Sequence, residues 1–211
     1  MPQKIMLVGG GGHCASCIEV LESTGTWEIA GIIDMPEKIG QTLLGYPILG
    51  ADVDLARLVT AYRFALLTIG QLKSATSRQR LACMLGETGF ISPVVIASSS
   101  HVSRYAELGN GTIAMHRSFV NAGAIVDQHC ILNTACIIEH NAVMGKFCHI
   151  STGATVNGDC VIGDRCLVGS SAVIRNGIHI GNDTIVGAGA VVVNDLIEPG
   201  VYVGNPARTL A

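Results

Sequence analysis

From Leu108 to Val192 an aliphatic or small apolar residue returns at every sixth position: Leu108, Ala114, Val120, Val126, Leu132, Ile138, Met144, Ile150, Val156, Ile162, Val168, Ile174, Ile180, Val186 and Val192. The fourth residue after each of these but the last is restricted too, to Thr112, Ser118, Ala124, Cys130, Cys136, Ala142, Cys148, Ala154, Cys160, Cys166, Ala172, Thr184 and Ala190, with Ile178 the one large member. A period of six fits neither an α-helix nor a lone strand. It is the period of a parallel β-helix: one hexad supplies a short strand and a corner, and three hexads close a triangular coil of eighteen residues. The aliphatic residue points inward and stacks on its equivalents in the next coil, while the small residue sits where the backbone turns. No coil buries its own core, so the stack is stable only collectively, at roughly 1.5–3 kcal/mol per buried aliphatic side chain. Ile96 and Val102 keep the register, which starts the prism near residue 96.

Only 4% of the 211 residues are aromatic although 49% are hydrophobic, which suits a narrow prism filled by Val, Ile and Ala. A net charge of -3 gives no electrostatic footprint for nucleic acid or an anionic membrane. No basic leader with an apolar core opens the sequence, and no apolar run reaches the length of a membrane span, so the expected location is the cytoplasm. Of the eight cysteines, Cys130, Cys136, Cys148, Cys160 and Cys166 fall at the small-residue position and read as reduced apolar fillers rather than metal ligands or disulfide partners. Cys14 and Cys17 form a C-x-x-C at the start of a predicted helix without a thioredoxin-like context.

The first 95 residues read differently. Lys4 to Val8 is a short buried strand, followed by Gly9, Gly10, Gly11, Gly12 and His13, an apolar-periodic helix ending near Gly25, and a second strand from Ile29 to Ile33 that stops at Asp34. Strand, glycine turn, helix and strand make a Rossmann-like βαβ unit whose backbone N–H groups and helix N-terminus can receive a phosphate. Gly10, Gly12 and Ala15 satisfy G-x-G-x-x-G/A, but the unit is too short for both halves of a dinucleotide fold, so it is read as one nucleotide-diphosphate half that uses Asp34 for a polar group of the ligand. A loop carrying Gly40, Gly45, Pro47 and Gly50, a helix from about Asp54 to Tyr62, a strand from Phe64 to Ile69 and a helix ending near Gly86 are expected next. Three parallel strands then deliver Gly9, Asp34 and Gly70 to one sheet edge, where ligands of open α/β folds bind. The chain is thus expected to hold two domains: 1–95, α/β, for a nucleotide sugar, and 96–211, an all-β prism with a short C-terminal tail.

The segment Asn133-Thr134, Ile138-Glu139-His140, Gly145 and His149-Ile150-Ser151-Thr152-Gly153-Ala154 closely resembles the PglD/NeuD-like group of hexapeptide-repeat acetyltransferases. So do the glycine turn with His13, Asp34, Ile69-Gly70 and the closing Gly204-Asn205-Pro206-Ala207-Arg208. The resemblance implies a left-handed coil and transfer of acetyl from acetyl-CoA, without a metal, to the amino group of a nucleotide-linked sugar such as a UDP-4-amino sugar, or to a hydroxyl of sialic acid. It makes His140 the general base, which the reaction needs because an attacking amine must shed a proton and an imidazole ordinarily titrates near neutrality. The residue after this histidine is commonly acidic in the group; here it is Asn141, which leaves Glu139 or a residue from elsewhere to orient the imidazole. The resemblance further places His149, Gly158, Ser170 and Ala188 against acetyl-CoA, with the Gly158 N–H aimed at the developing oxyanion. It places Gly11, Gly12, His13, Asp34 and Gly70 against the nucleotide sugar. His140 and His149 are nine residues apart, half a coil, so they project from different sides of the prism. If both line one site, that site lies between two subunits, in keeping with the homotrimers of the family. His116, His129 and His179 read as surface residues. A non-catalytic nucleotide-sugar scaffold and a nicotinamide dehydrogenase are the competing readings from other classes.

Overall fold

The computed structural model describes residues 2–210. They divide into two compact units, one running up to Gly70 and resuming at Thr76–Ser98, the other formed by Gln71–Ala75 and the chain from Ser99 onward.

The first unit contains β1 (Gln3–Val8), α1 (Gly12–Thr24), β2 (Trp27–Ile33), β3 (Thr42–Leu43), β4 (Tyr46–Gly50), α2 (Leu55–Leu58), β5 (Phe64–Leu67) and α3 (Thr76–Thr88). The sheet order is β3-β4-β2-β1-β5, and β1, β2, β4 and β5 are parallel. Ile5, Met6, Leu7 and Val8 of β1 are all buried, the continuous apolar run of a strand covered on both faces. α1 stops at Gly25, which takes the left-handed conformation at φ 63°.

Two expectations need correction. The glycine- and proline-bearing stretch after Asp34 is not all loop: β3 and β4 pair antiparallel across Leu44-Gly45, both at positive φ, and β4 then extends the parallel sheet. A two-residue turn of this kind is usually announced by Asn-Gly or Asp-Gly; Leu-Gly gives no such signal. The helix expected over 54–62 shrinks to Leu55–Leu58, preceded directly by a 3-10 turn at Asp52–Asp54 and followed by further turns, and its only buried residues are Leu55 and Leu58.

The second unit is the left-handed prism. Its first face stacks strands from His101–Val102 through Phe119–Val120, Ile137–Ile138, Thr155–Val156 and Val173–Ile174 to Val191–Val192. The second stacks Glu107–Leu108, Ile125–Val126, Val143–Met144, Val161–Ile162 and His179–Ile180. The third runs from Ile113–Ala114 through Ile131–Leu132, His149–Ile150, Leu167–Val168 and Ile185–Val186 to Val201–Val203, closed by antiparallel Arg208–Thr209. From His101 to Val192 the pairings between coils join residues eighteen apart, as in Ile137↔Thr155 and Val143↔Val161, and the closing rung shortens this to Ile185↔Val201. The inward aliphatic and corner residues form one core from Ala114 to Val192. Cys148 and Cys166 donate from Sγ to the carbonyls of Gly163 and Gly181 at 3.0 and 3.1 Å, which absorbs their only polar hydrogen inside that core.

From Gly111 to Gly189 each corner turns the chain onto the next face through two residues, the second at positive φ, among them Asn141 (58°), Asp159 (59°) and Arg165 (62°). Asn and Asp tolerate this conformation better than other non-glycine residues. Corner residues therefore form columns with one member per coil, and the candidate catalytic residues stand in one of them.

Candidate active site

The column between the first and second faces carries Ala122-Gly123, His140-Asn141 and Gly158-Asp159 on successive coils. His140 is exposed, and its ring lies flat on Gly158. A Cβ built there would stand 2.5 Å from Cε1 and Nε2 and 3.0 Å from Nδ1, so only glycine leaves the imidazole in place. Nε2 has no partner among the described residues; Nδ1 faces Asn141 Nδ2 at 3.4 Å.

The backbone N–H groups at this column are treated differently from coil to coil. That of Ala122 donates to Asn121 Oδ1 (2.7 Å) and that of His140 to Glu139 Oε2 (3.3 Å). Asn157, in the equivalent position one coil on, instead sends Nδ2 to the Ile174 carbonyl at 2.7 Å. Among the described residues nothing accepts the Gly158 N–H. An exposed imidazole and an unpaired donor on a buried glycine thus lie together at this corner. Glu139 is spent on the backbone of its own turn and on Asn121 Nδ2 (2.7 Å), so it braces the turn without touching the imidazole ring.

His149 lies on the third face and is 6% exposed. Its Nδ1 is 2.9 Å from the Gln71 carbonyl, which can only accept, so the hydrogen sits on Nδ1; Nε2 then accepts from Asn133 Nδ2 at 3.1 Å. Asn133 is oriented by the Thr134 N–H donating to its Oδ1 at 2.7 Å. Both ring nitrogens are engaged inside the second unit, a placement the spacing of His149 did not disclose. Ser170 and Ala188 are exposed and stack on the column between the third and first faces, a different edge from that of His140 and Gly158.

In the first unit, Gly11 caps α1 with its backbone alone, and no side chain satisfies the helix N-terminus. A helix end of this kind can receive an anion. A cleft of about 580 Å³ opens at the carboxyl ends of the strands, lined among others by Gly9, Asp34, Ile69, Ser77 and Arg80. Gly70 adjoins it, 3.7 Å from His13 Cβ if a Cβ is placed on the glycine. Asp34 is fully engaged: Oδ2 accepts from Gly10 N–H (3.0 Å) and Lys38 Nζ (2.8 Å), and Oδ1 from Met35 N–H (2.8 Å). Burial pushes its carboxyl up, but the Lys38, Met35 and Gly10 hydrogen bonds outweigh this and leave the pKa below the ordinary carboxylate value. Asp34 therefore pins the glycine turn, and Gly10 must lack a side chain because a Cβ would meet that carboxylate at 2.6 Å. Arg80, paired to Asp52 at 3.0 Å on the cleft wall, was not singled out from sequence; a basic residue near the start of the third helix was its only signal. Cys14 and Cys17 are buried, and desolvation pushes the Cys14 thiol to about 11 and Cys17 higher still, which excludes an activated pair.

Residues 4–85 match the PglD N-terminal domain, and 141–176 and 159–194 match the bacterial transferase hexapeptide repeats. No curated protein sequence matches. Among solved structures, PerB from Caulobacter crescentus, in complex with CoA and GDP-perosamine, is 31% identical, covers 99% of this chain and 97% of its own, and superposes with a TM-score of 0.92. The acetyltransferase domain of PglB from Neisseria gonorrhoeae, in complex with acetyl coenzyme A, is 28% identical over 100% of both chains, with a TM-score of 0.91. WeeI from Acinetobacter baumannii, at 22% identity over 99% of this chain and 100% of its own, shares the fold with a TM-score of 0.77. By its full-length likeness to PerB and the matches in both units, the chain belongs to the PglD/NeuD-like family of hexapeptide-repeat sugar acetyltransferases.

Proposed function

We propose that this protein transfers the acetyl group of acetyl-CoA to the amino group of a nucleotide-linked amino sugar of the UDP-4-amino-sugar type, in the cytoplasm, as a homotrimer with its active sites between subunits. The observation that carries the reading is the corner at which the exposed His140 ring lies on Gly158, whose N–H has no acceptor among the described residues. Acetyl-CoA supplies an activated thioester carbonyl and a thiolate leaving group. His140 accepts, at Nε2, the proton that the amine releases as the new C–N bond forms. The Gly158 N–H donates toward the carbonyl oxygen as negative charge gathers on it. The first unit holds the nucleotide diphosphate at the uncapped start of α1.

The trimer reading is supported by placement. His140 and Gly158 occupy one edge of the prism while Ser170 and Ala188 occupy another, so a pocket using both sets draws on two subunits. Ile125, Val143 and Val161 form an exposed apolar column on the second face, which suits burial against another copy.

The test is acetyl-CoA consumption against UDP-linked and GDP-linked 4-amino sugars; the GDP-linked ones belong in the panel because the Caulobacter relative was solved with GDP-perosamine. An amide product is expected, whereas an ester labile to mild base, formed on a sialic acid, would replace this reading. His140→Ala is expected to lower kcat by about 10²- to 10⁴-fold. Turnover unchanged in that variant would leave the prism as a scaffold only.

A further inference from the structure

The base role set out above requires a lone pair on the open nitrogen of His140, and the corner column controls whether one is there. Asn141 and Asp159 hold the same place on successive coils, with φ of 58° and 59°. Asn141 Nδ2 lies 3.0 Å from Asp159 Oδ1 and 3.4 Å from His140 Nδ1, so one amide nitrogen faces both neighbours. Its oxygen points to the coil above, over Gly123, where a Cβ would stand only 2.5 Å away. A carboxylate can only accept, so the amide atom that meets Asp159 is the nitrogen. A half-turn of the amide would set Oδ1 against the carboxylate instead.

The pinned amide therefore turns N–H toward Nδ1. An imidazole nitrogen that faces a donor must be the acceptor, and a neutral ring with Nδ1 as acceptor carries its single hydrogen on Nε2. We propose that Asp159, acting through Asn141, is a positioning residue that sets the tautomer of His140, holding the resting ring as Nε2–H and so in its non-accepting form. The inference rests on His140 being the base. For Nε2 to accept, the hydrogen must sit on Nδ1, and the Asn141 amide must turn its oxygen to that nitrogen, which the Asp159 carboxylate opposes.

The same column explains why residue 141 is an amide here. An acidic side chain at 141 would stack its carboxylate on that of Asp159, two like charges at hydrogen-bond distance. With Asn at 159, the chain of contacts reverses: the new amide donates to Asn141 Oδ1, Oδ1 also accepts from Nδ1–H, and Nε2 is left with its lone pair.

Four variants test this. In ¹⁵N-histidine-labelled wild-type protein, with the His140 signals assigned by their loss in His140→Gln, Nε2 is expected to carry the hydrogen, and in Asp159→Asn the hydrogen is expected on Nδ1. Because 3.4 Å is a long hydrogen bond, the effect on rate is modest: Asp159→Asn is expected to raise kcat about 2- to 10-fold with both KM values unchanged. The double variant Asn141→Asp with Asp159→Asn is expected to be at least as fast, whereas Asn141→Asp alone is expected to lose stability. An Nδ1–H signal in the wild type, or a kcat in Asp159→Asn that is unchanged or lower, overturns the inference. The NMR readout needs no substrate, and activity that survives His140→Ala would defeat the functional reading instead, so the two failures are distinguishable.

Discussion

Replacing Gly158 by alanine separates folding from chemistry at this corner. The added methyl would stand 2.5 Å from His140 Cε1 and Nε2, whereas carbon contacts settle at roughly 3.5–4.0 Å. The ring must therefore retreat by about 1 Å, and a misplacement of that size can cost about 10²-fold in rate. Stability should not follow. Gly158 is absent from the positive-φ glycines, so alanine fits the backbone, and the obstructing atoms belong to an exposed side chain that can swing away. Restricting the unfolded chain adds about 0.4–1 kcal/mol in favour of the variant, because alanine has less conformational freedom to lose. The N–H of residue 158 survives the change, so a donor to the developing oxyanion is retained. The expected result is a kcat about 100-fold lower with a melting temperature equal to or slightly above that of the wild type. The double variant with His140→Ala should be no slower than His140→Ala alone, since both act through one ring. A Gly158→Ala enzyme of normal kcat, or a double variant whose losses multiply, would refute the reasoning.

Asp34→Ala leaves the Gly10 and Met35 N–H groups and the Lys38 ammonium without their acceptor, and is expected to lower stability by about 1–3 kcal/mol in denaturant titration. Because the folded carboxyl titrates below its ordinary value of 3.8, its contribution is present in full above that pH and is lost as pH falls through the folded pKa. The gap between wild type and variant should therefore close in acid, and a gap that persists there would show that packing, not the hydrogen bonds, is responsible. For the thiols, Cys83 is exposed while the other cysteines are buried. A disulfide reagent should modify one thiol per native chain and the remaining ones only on unfolding; early reaction of Cys14 or Cys17 would contradict their burial.

The prism was legible in the sequence because its restraint is repeated. Each inward position asks the same question of the chain eighteen residues later, and Val120, Ile138, Val156 and Ile174 give the same answer. The β3–β4 hairpin was not legible, since it rests on a single turn and Leu44-Gly45 carries none of the usual residue signals. His149 was misleading in a similar way: its place in the hexad marks it as outward, but its burial depends on Gln71, whose return to the prism has no periodic signature.

The corner column lies between these extremes. A β-helix converts a sequence separation of eighteen into direct contact, so that His140 touches Gly158 and Asn141 touches Asp159. Reading position 141 beside its chain neighbour alone shows a missing acid next to the base. Reading it beside position 159 shows where the carboxylate stands instead, and the positive φ shared by both residues explains why Asn and Asp are acceptable there. The chemistry of such a fold is thus written down its columns, and a substitution at any corner is felt first by the residues one coil above and below it rather than by those beside it in the chain.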